Sequence, residues 1–322
     1  MVDTSAAAAQ GGTTRSNADA AGRGSARSGG HAAESGRASS SAEGAEGAEG
    51  RLVLVATPIG NLEDLSPRAA RMLRDADLVA AEDTRRSRVL LDHAGSSVPM
   101  TSYHEHNEVS RTGPLLDRVA GGETIVLITD AGTPALADPG FRLVREARER
   151  GLAVEAVPGP AAVLQALVLS GLPTDRFAFE GFLPRKAGAR ARRLRELADD
   201  PRTLVFYVAP HRAADDLATM AELFGDRQAA LAREMTKLHE EVWWAKLPDL
   251  ARRAGADGVR GEVTVVVAGA PPPAPPSAPQ LAARVSELVA AGADRKAAIA
   301  EVASATGSPK REVYQAVLDA RG

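Results

Sequence analysis

The chain has 322 residues, 44% hydrophobic and 25% charged, with a formal net charge of −3 and no cysteine. That balance suits a soluble protein of about two globular units, and the missing cysteines exclude disulfides, Cys-ligated zinc and a thiolate nucleophile. The net charge does not mark out a nucleic-acid binder as a whole, so local charge has to be read instead.

Residues 1–50 are Ala, Gly, Ser and scattered charges without periodicity. They are too poor in large apolar groups to offset the entropy of ordering them, and read as a disordered tail. The start lacks the apolar stretch of a secretory signal and no window reaches the roughly eighteen apolar residues of a membrane helix, so a cytoplasmic location without a membrane partner is expected. From Arg51, strands are predicted over 52–56, 78–81, 98–102, 125–129 and 154–157, with helices over 67–74, 86–93, 109–120 and 141–150. Runs such as Leu52-Val-Leu-Val55 and Ile125-Val-Leu-Ile128 have the continuous apolar pattern of strands buried on both faces. Residues 51–158 are therefore expected to form an α/β domain on a parallel sheet. Ligands of such sheets lie beyond the carboxyl ends of the strands, so Thr57-Pro-Ile-Gly-Asn61 and Asp130-Ala-Gly-Thr-Pro134 should border one crevice. Asp138-Pro139 reads as the N-cap and first-turn proline of the 141–150 helix.

Residues 159–270 carry strands over 177–181, 203–208, 228–233, 242–246 and 263–268 with fewer long helices, which fits a second, α+β domain joined at Val157–Ala161. A proline-rich, semi-rigid linker follows over 271–280. Residues 281–322 read as a small helical domain, with helices over 281–291, 295–306 and 309–319. Gly307 ends the second helix, Ser308 caps the third and Pro309 starts it; Ala298, Ile299, Val302 and Ala303 should face Val313, Val317 and Leu318. The pair resembles a helix-turn-helix, in which Lys310 and Arg311 occupy the turn that meets nucleic acid; a packing appendage is the other reading.

The Thr57–Asn61 loop has neither Gly-x-Gly-x-x-Gly nor Gly-Lys-Ser/Thr, so nothing there cradles a pyrophosphate. Its proline and glycine still allow backbone to approach an adenosine closely. Asp130, ending an apolar strand, suits a ribose hydroxyl or a cation, or merely its own turn. Glu82-Asp-Thr-Arg-Arg86 occupies the corresponding end of the 78–81 strand, so acids and arginines are expected to converge there as ligand site or ion-pair network. His104-Glu-His-Asn-Glu108 sets two of the six histidines among carboxylates and offers a general base. No His-x₃-His or His-Glu-x-x-His spacing falls on a predicted helix, and no metal is expected. Arg185, Lys186, Arg190, Arg192, Arg193 and Arg195 lie within eleven residues free of acid, which suits phosphate contacts or a solvated loop. Of Trp243 and Trp244, at least one should face the core of its strand.

Seven segments in order carry a resemblance: Ala56-Thr-Pro-Ile-Gly-Asn-Leu62, Ala81-Glu-Asp-Thr-Arg85, His104-Glu-His-Asn-Glu108, Asp130-Ala-Gly-Thr-Pro134, Asp138-Pro-Gly140, Val157-Pro-Gly-Pro-Ala161 and Gly181-Phe-Leu-Pro-Arg-Lys186. Together, over Arg51 to Ala268, they resemble the bacterial small-subunit ribosomal RNA 2′-O-methyltransferases of the tetrapyrrole methylase, or class III methyltransferase, superfamily. The resemblance implies a two-domain α/β enzyme, homodimeric, that holds S-adenosyl-L-methionine folded between its domains. It implies methylation of the ribose of cytidine 1402 in 16S rRNA of the small ribosomal subunit, with no DNA partner. Carried over by motif, Pro58 belongs to the first cofactor loop, Asp130, Thr133 and Ala137 to the second, Pro160 and Ala161 to the junction, and Tyr207 and Ala232 to the strand ends that complete the site. Val208-Ala-Pro210 departs from the family's Glu-Ser-Pro. A 2′-hydroxyl is a weak acid and needs a base, for which His104, His106, Asp83 and Glu105 are candidates in descending order. Arg185, Lys186, Arg192 and Arg193, with Lys310 and Arg311, are the implied RNA contacts. Two rivals stand: a precorrin-type tetrapyrrole methylase, against which the basic segment and helical tail argue, and a non-catalytic RNA-binding ribosome-assembly factor.

Overall fold

The computed structural model describes residues 50–272 and 274–320; the tail expected over 1–50 lies, but for Gly50, outside them. Strands β1 (Arg51–Val55), β2 (Leu78–Ala81), β3 (Met100–Ser102), β4 (Thr124–Ile128) and β5 (Ala153–Val157) form a wholly parallel sheet in the order β3-β2-β4-β1-β5. Helices α1 (Pro67–Asp75), α2 (Thr84–Ala94), α3 (Glu108–Ala120) and α4 (Phe141–Glu149) make the connections. Alternate residues of one strand point to opposite faces, so the apolar runs feed two cores at once. Val53, Val126 and Ile128 pack with Leu73 and Leu91 on one face, while Leu52, Ile125 and Leu127 pack with Leu116 and Leu143 on the other.

A second sheet comprises β6 (Phe177–Phe182), β7 (Thr203–Val208), β8 (Gln228–Arg233), β9 (Glu241–Lys246) and β10 (Val263–Val267), in the order β6-β7-β10-β8-β9. Only the β6–β7 pair is parallel. Helices α6 (Ala187–Glu196), α7 (Ala213–Phe224) and α8 (Leu247–Asp257) cover one face, where Leu194, Leu217 and Leu250 meet Phe206, Leu231 and Val265. The other face receives α5 (Ala162–Leu169): Val163, Ala166 and Leu167 pack on Val205, Ala232 and Val266. Ile59, from the loop after β1, lies in this same cluster and so ties the first sheet's edge to the second sheet.

Helices α9 (Ala278–Ala290), α10 (Arg295–Thr306) and α11 (Lys310–Asp319) share a core of their own around Leu281, Val285, Val302, Val313 and Val317. Among the described residues no helix is long and apolar enough to cross a membrane.

Several local expectations are corrected. Asp138 does not cap α4; Gly140 holds that position at φ 135°, and no side chain caps it. Ser308 does not cap α11, whose N-cap is Pro309, and Leu318 stays 42% exposed while Ala316 fills the core. The 271–280 linker ends early, because Ser277 and Gln280 form a capping box that starts α9 at Ala278. The basic segment is mostly the helix α6, and the second unit carries three helices of ten to twelve residues.

Candidate functional site

The crevice is built by three loops stitched together by their backbones. Thr57 and Gly132 form an isolated bridge, with N–H···O distances of 2.9 and 3.1 Å in the two directions. The Thr57 hydroxyl also donates to the Thr129 carbonyl at 3.2 Å, and the Thr133 hydroxyl to the Pro160 carbonyl at 3.3 Å. Within the 130–140 loop Ala135 and Ala137 hold φ values of 67° and 64°. Non-glycine residues in the left-handed region cost on the order of 1–2 kcal/mol each, strain that persists where surrounding structure over-determines the backbone and that clusters at ligand sites.

Between these loops and the ends of β7 and β10 lies a cavity of about 580 Å³. Thr133, Ala137, Ala161 and Tyr207 line it, joined by Ile59 and Thr264. The other expected cofactor residues stand behind this surface. Pro58 is buried in its loop, Pro160 supplies the carbonyl that holds Thr133, and Ala232 is packed beneath in the α5 cluster. Asp130 turns toward β2: its carboxylate accepts from the Asp83 N–H at 3.1 Å and pairs with Arg86 at 3.0 Å.

The four expected bases do not converge. Asp83 caps α2, accepting from the Arg85 N–H at 2.8 Å. His104 has its Nε2 3.2 Å from the Asn107 amide, while its Nδ1 is buried without a partner. His106 sits edge-on to it, ring centroids 6.0 Å apart, and is exposed. His104, His106 and Asp83 do not line this cavity or a second one of about 480 Å³ bordered by Glu108, Phe141, Arg142 and Arg145, whereas Glu105 lines the second.

Asp138 lines both cavities and was missed as a site residue because it reads as a helix cap. Burial first, then the charges of Glu82 and Asp130, push its carboxyl from 3.8 up to about 7. The signal in the sequence was the set of three acids falling at the ends of β2 and β4. Tyr207, across the first cavity, is raised to about 12, by burial first and then by Asp138. A carboxyl raised on folding binds more protons native than unfolded between pH 3.8 and about 7, so stability falls as pH climbs through that window. Asp138→Asn should therefore be more stable than the parent at pH 8, by roughly 1–3 kcal/mol after allowance for partial exposure, with the gap closing toward pH 4. Urea midpoints at the two pH values measure this.

The basic residues divide by burial. Arg185 and Lys186 just before α6 and Arg192 in its middle are exposed, as are Lys310 and Arg311 on the first turn of α11. Arg193 is engaged by Glu180 at 2.6 Å and Glu196 at 2.9 Å. Arg190, 9% exposed, is a structural group bonded to Asp216 at 3.0 Å. Trp243 is buried and Trp244 is 61% exposed.

The larger cavity fits S-adenosylmethionine on its own chemistry. Its volume lies in the range of small-molecule sites, Ile59, Leu136 and Met235 give apolar walls for a nucleoside, and Asp138 and Glu262 put acid beside a sulfonium cation. Among the described residues no three His, Asp or Glu side chains gather to hold a metal ion.

Residues 51–251 match the family model of tetrapyrrole (corrin/porphyrin) methylases. A ribosomal RNA small subunit methyltransferase I from Pseudomonas aeruginosa is 48% identical over 277 residues, covering 85% of this chain and 98% of the relative. Its namesake from Mycobacterium bovis is 49% identical over 278 residues, 85% of this chain and 96% of the relative. A cobalt precorrin-4 methyltransferase of cobalamin biosynthesis, 17% identical with a TM-score of 0.52 over 70% of this chain and 98% of its own, shares the fold. The chain thus belongs to the ribosomal RNA small subunit methyltransferase I group of the tetrapyrrole methylase family, and is an S-adenosylmethionine-dependent methyltransferase.

Proposed function

We propose that this enzyme methylates the ribose 2′-oxygen of cytidine 1402 in 16S rRNA, acting in the cytoplasm as a homodimer. The reading is carried by one observation: the apolar cavity for the cofactor shares Asp138 in its lining with a second, charge-lined cavity bordered by Phe141, Arg142 and Arg145. The exposed aromatic face of Phe141 suits a base splayed out of an RNA fold, while Arg142 and Arg145, paired with Glu108 and Glu149, have to exchange those acids for phosphate. The names of relatives 48–49% identical over nearly their whole length support the RNA substrate. With no cysteine, the chain has no thiolate to add to a pyrimidine ring, which favours ribose over carbon-5 of the base.

When bound, S-adenosylmethionine supplies a methyl group activated by its sulfonium charge. The chain's contribution is placement: Thr133, Ala137 and Ala161 from one side and Tyr207 from the other bound the cofactor space, and the two cavities meet at a single acidic side chain. Arg185, Lys186 and Arg192 extend the phosphate contacts, with Lys310 and Arg311 on α11; Arg193, already engaged by Glu180, contributes less. Replacing Arg185, Lys186 and Arg192 together by alanine should weaken RNA binding and flatten its salt dependence by roughly 0.7–0.9 in log–log slope per lost contact. Cofactor affinity should stay unchanged; an unaltered salt slope removes the segment from the interface.

The test is methyl transfer to small subunits lacking the modification, followed by alkaline hydrolysis of the RNA. A ribose methyl removes the nucleophile for strand cleavage, so one alkali-resistant linkage is expected at cytidine 1402. Methyl on a base, or at another nucleotide, contradicts the proposal.

A further inference from the structure

We infer that Asp138 is the group that takes the proton from the target hydroxyl, and that loading the cofactor is what prepares it. The inference rests on the ribose reading above. Its first support is position. Asp138 belongs to the linings of both cavities, whereas His104, His106 and Asp83 line neither and Glu105 lines only the outer one. A base must reach the attacking oxygen while the methyl donor is in place, which calls for a side chain that borders both spaces.

The second support is that the neighbouring acids are otherwise committed. Asp130 is fixed by Arg86 and by the Asp83 N–H, Glu82 accepts the Asp130 N–H at 3.3 Å, and Glu108 is bonded to Arg142 at 3.3 Å. Tyr207 faces Asp138 from β7 and stays a neutral phenol at physiological pH. Arg145 and Glu105 border the outer cavity, and Glu262 the inner one. Burial and the two acids at the strand ends leave the Asp138 carboxyl titrating at about 7, so that only about half of it is carboxylate in neutral solution. A sulfonium cation in the adjoining cavity acts in the opposite sense and favours the carboxylate, so cofactor binding at neutral pH should expel a proton.

The transfer then balances. The 2′-O–H bond breaks and its proton passes to the Asp138 carboxylate; the oxygen's electron pair forms the O–CH₃ bond. The C–S bond breaks with its pair going to sulfur, which becomes a neutral thioether. Loss of the sulfonium charge returns Asp138 to the environment in which it holds a proton.

Calorimetry of S-adenosylmethionine binding to the full chain at pH 7, in two buffers of different ionisation enthalpy, reads the proton directly. A fractional proton release is expected for the parent and for Asp138→Glu, and none for Asp138→Asn. In single turnover on unmodified small subunits with cofactor saturating, Asp138→Asn should transfer methyl about 100- to 10,000-fold more slowly. Its residual rate should also lose the parent's rise with pH, which with cofactor bound falls below about 7 because the sulfonium favours the carboxylate. Proton release that persists in Asp138→Asn, or a rate within about fivefold of the parent, overturns the assignment. Should Asp138→Asn fail to bind cofactor, the parent's own proton release decides: its absence overturns the assignment. Mapping the parent's product separates the two levels. Methyl on a base defeats the ribose reading and this role with it; methyl on the ribose with Asp138→Asn unimpaired defeats only the role of Asp138.

Discussion

Gly132→Val should reduce affinity for S-adenosylmethionine by at least about 100-fold. Gly132 sits at φ +85°, where a β-branched residue is a genuine outlier costing on the order of 1–3 kcal/mol. A Cβ built there lies 3.5 Å from Ile59 Cγ2 and 3.8 Å from the Pro160 carbonyl, so one methyl group is tolerated by space but two further branches are not. The backbone has to move, and with it the reciprocal Thr57–Gly132 hydrogen bonds that hold the two loops of the crevice at a common edge. Because Gly132 lines the cofactor cavity, any shift that relieves the strain reshapes that wall. Gly95→Ala supplies the contrast. Gly95 is also left-handed, at φ +68°, but nothing lies within 4 Å of its added Cβ, and it ends α2 away from the cavity lining. That variant should lose about 1 kcal/mol of stability and bind cofactor normally. Calorimetry on both variants separates backbone strain from damage to the site; a Gly132→Val affinity within threefold of the parent would falsify the placement of the cofactor against this loop.

Asp216→Ala should lower the stability of the second unit by about 3–5 kcal/mol, read as a shift in urea midpoint. Asp216 is 2% exposed and bonded to two arginines, Arg190 at 3.0 Å and Arg212 at 3.1 Å. Burial holds its carboxyl above the ordinary range, and the two guanidinium groups pull back against that. Removing it leaves Arg190, also nearly buried, without its counter-charge and with only Thr219 Oγ1 at 3.2 Å. Arg212 additionally donates to the carbonyls of Leu183 and Pro184, so the network fixes the turn that presents Arg185 and Lys186. RNA affinity should therefore fall along with stability in Asp216→Ala, whereas Arg192→Ala should lower RNA affinity alone. An Asp216→Ala midpoint equal to that of the parent contradicts the structural role given to Arg190.

The first sheet was readable because its inner strands β2, β4 and β1 are short apolar runs ended by turn residues and acids, a pattern with few competing meanings. Leu52–Val55 and Ile125–Ile128 feed cores on both faces, as such runs require. The α6 helix was harder to see. Its inward face is made by Leu194 and by Arg190, whose burial depends on Asp216 from another helix, so no local apolar stripe announces it. Charge counting had the same blindness: the acid-free run from Arg185 to Arg195 meets its acids through Glu180 on β6 and Asp216 on α7. At the site, the loops the motifs mark do border one cavity, but spacing did not tell which side chains turn inward. Asp130 reads as a cofactor contact and Asp83 as a base, yet one pairs with Arg86 and the other caps α2. Asp138 looks like a cap, yet Gly140 takes the cap position and leaves the carboxyl between two cavities. Those outcomes turn on three-dimensional competition for hydrogen bonds, which spacing along the chain does not encode.

The most direct measurement is a crystal structure of the full chain with S-adenosylhomocysteine. The nucleoside is expected between Ile59, Ala161 and Met235, with the thioether sulfur directed toward Asp138 at the boundary with the Phe141–Arg145 cavity. A ligand seated elsewhere, or with its sulfur facing away from that boundary, would contradict the site described.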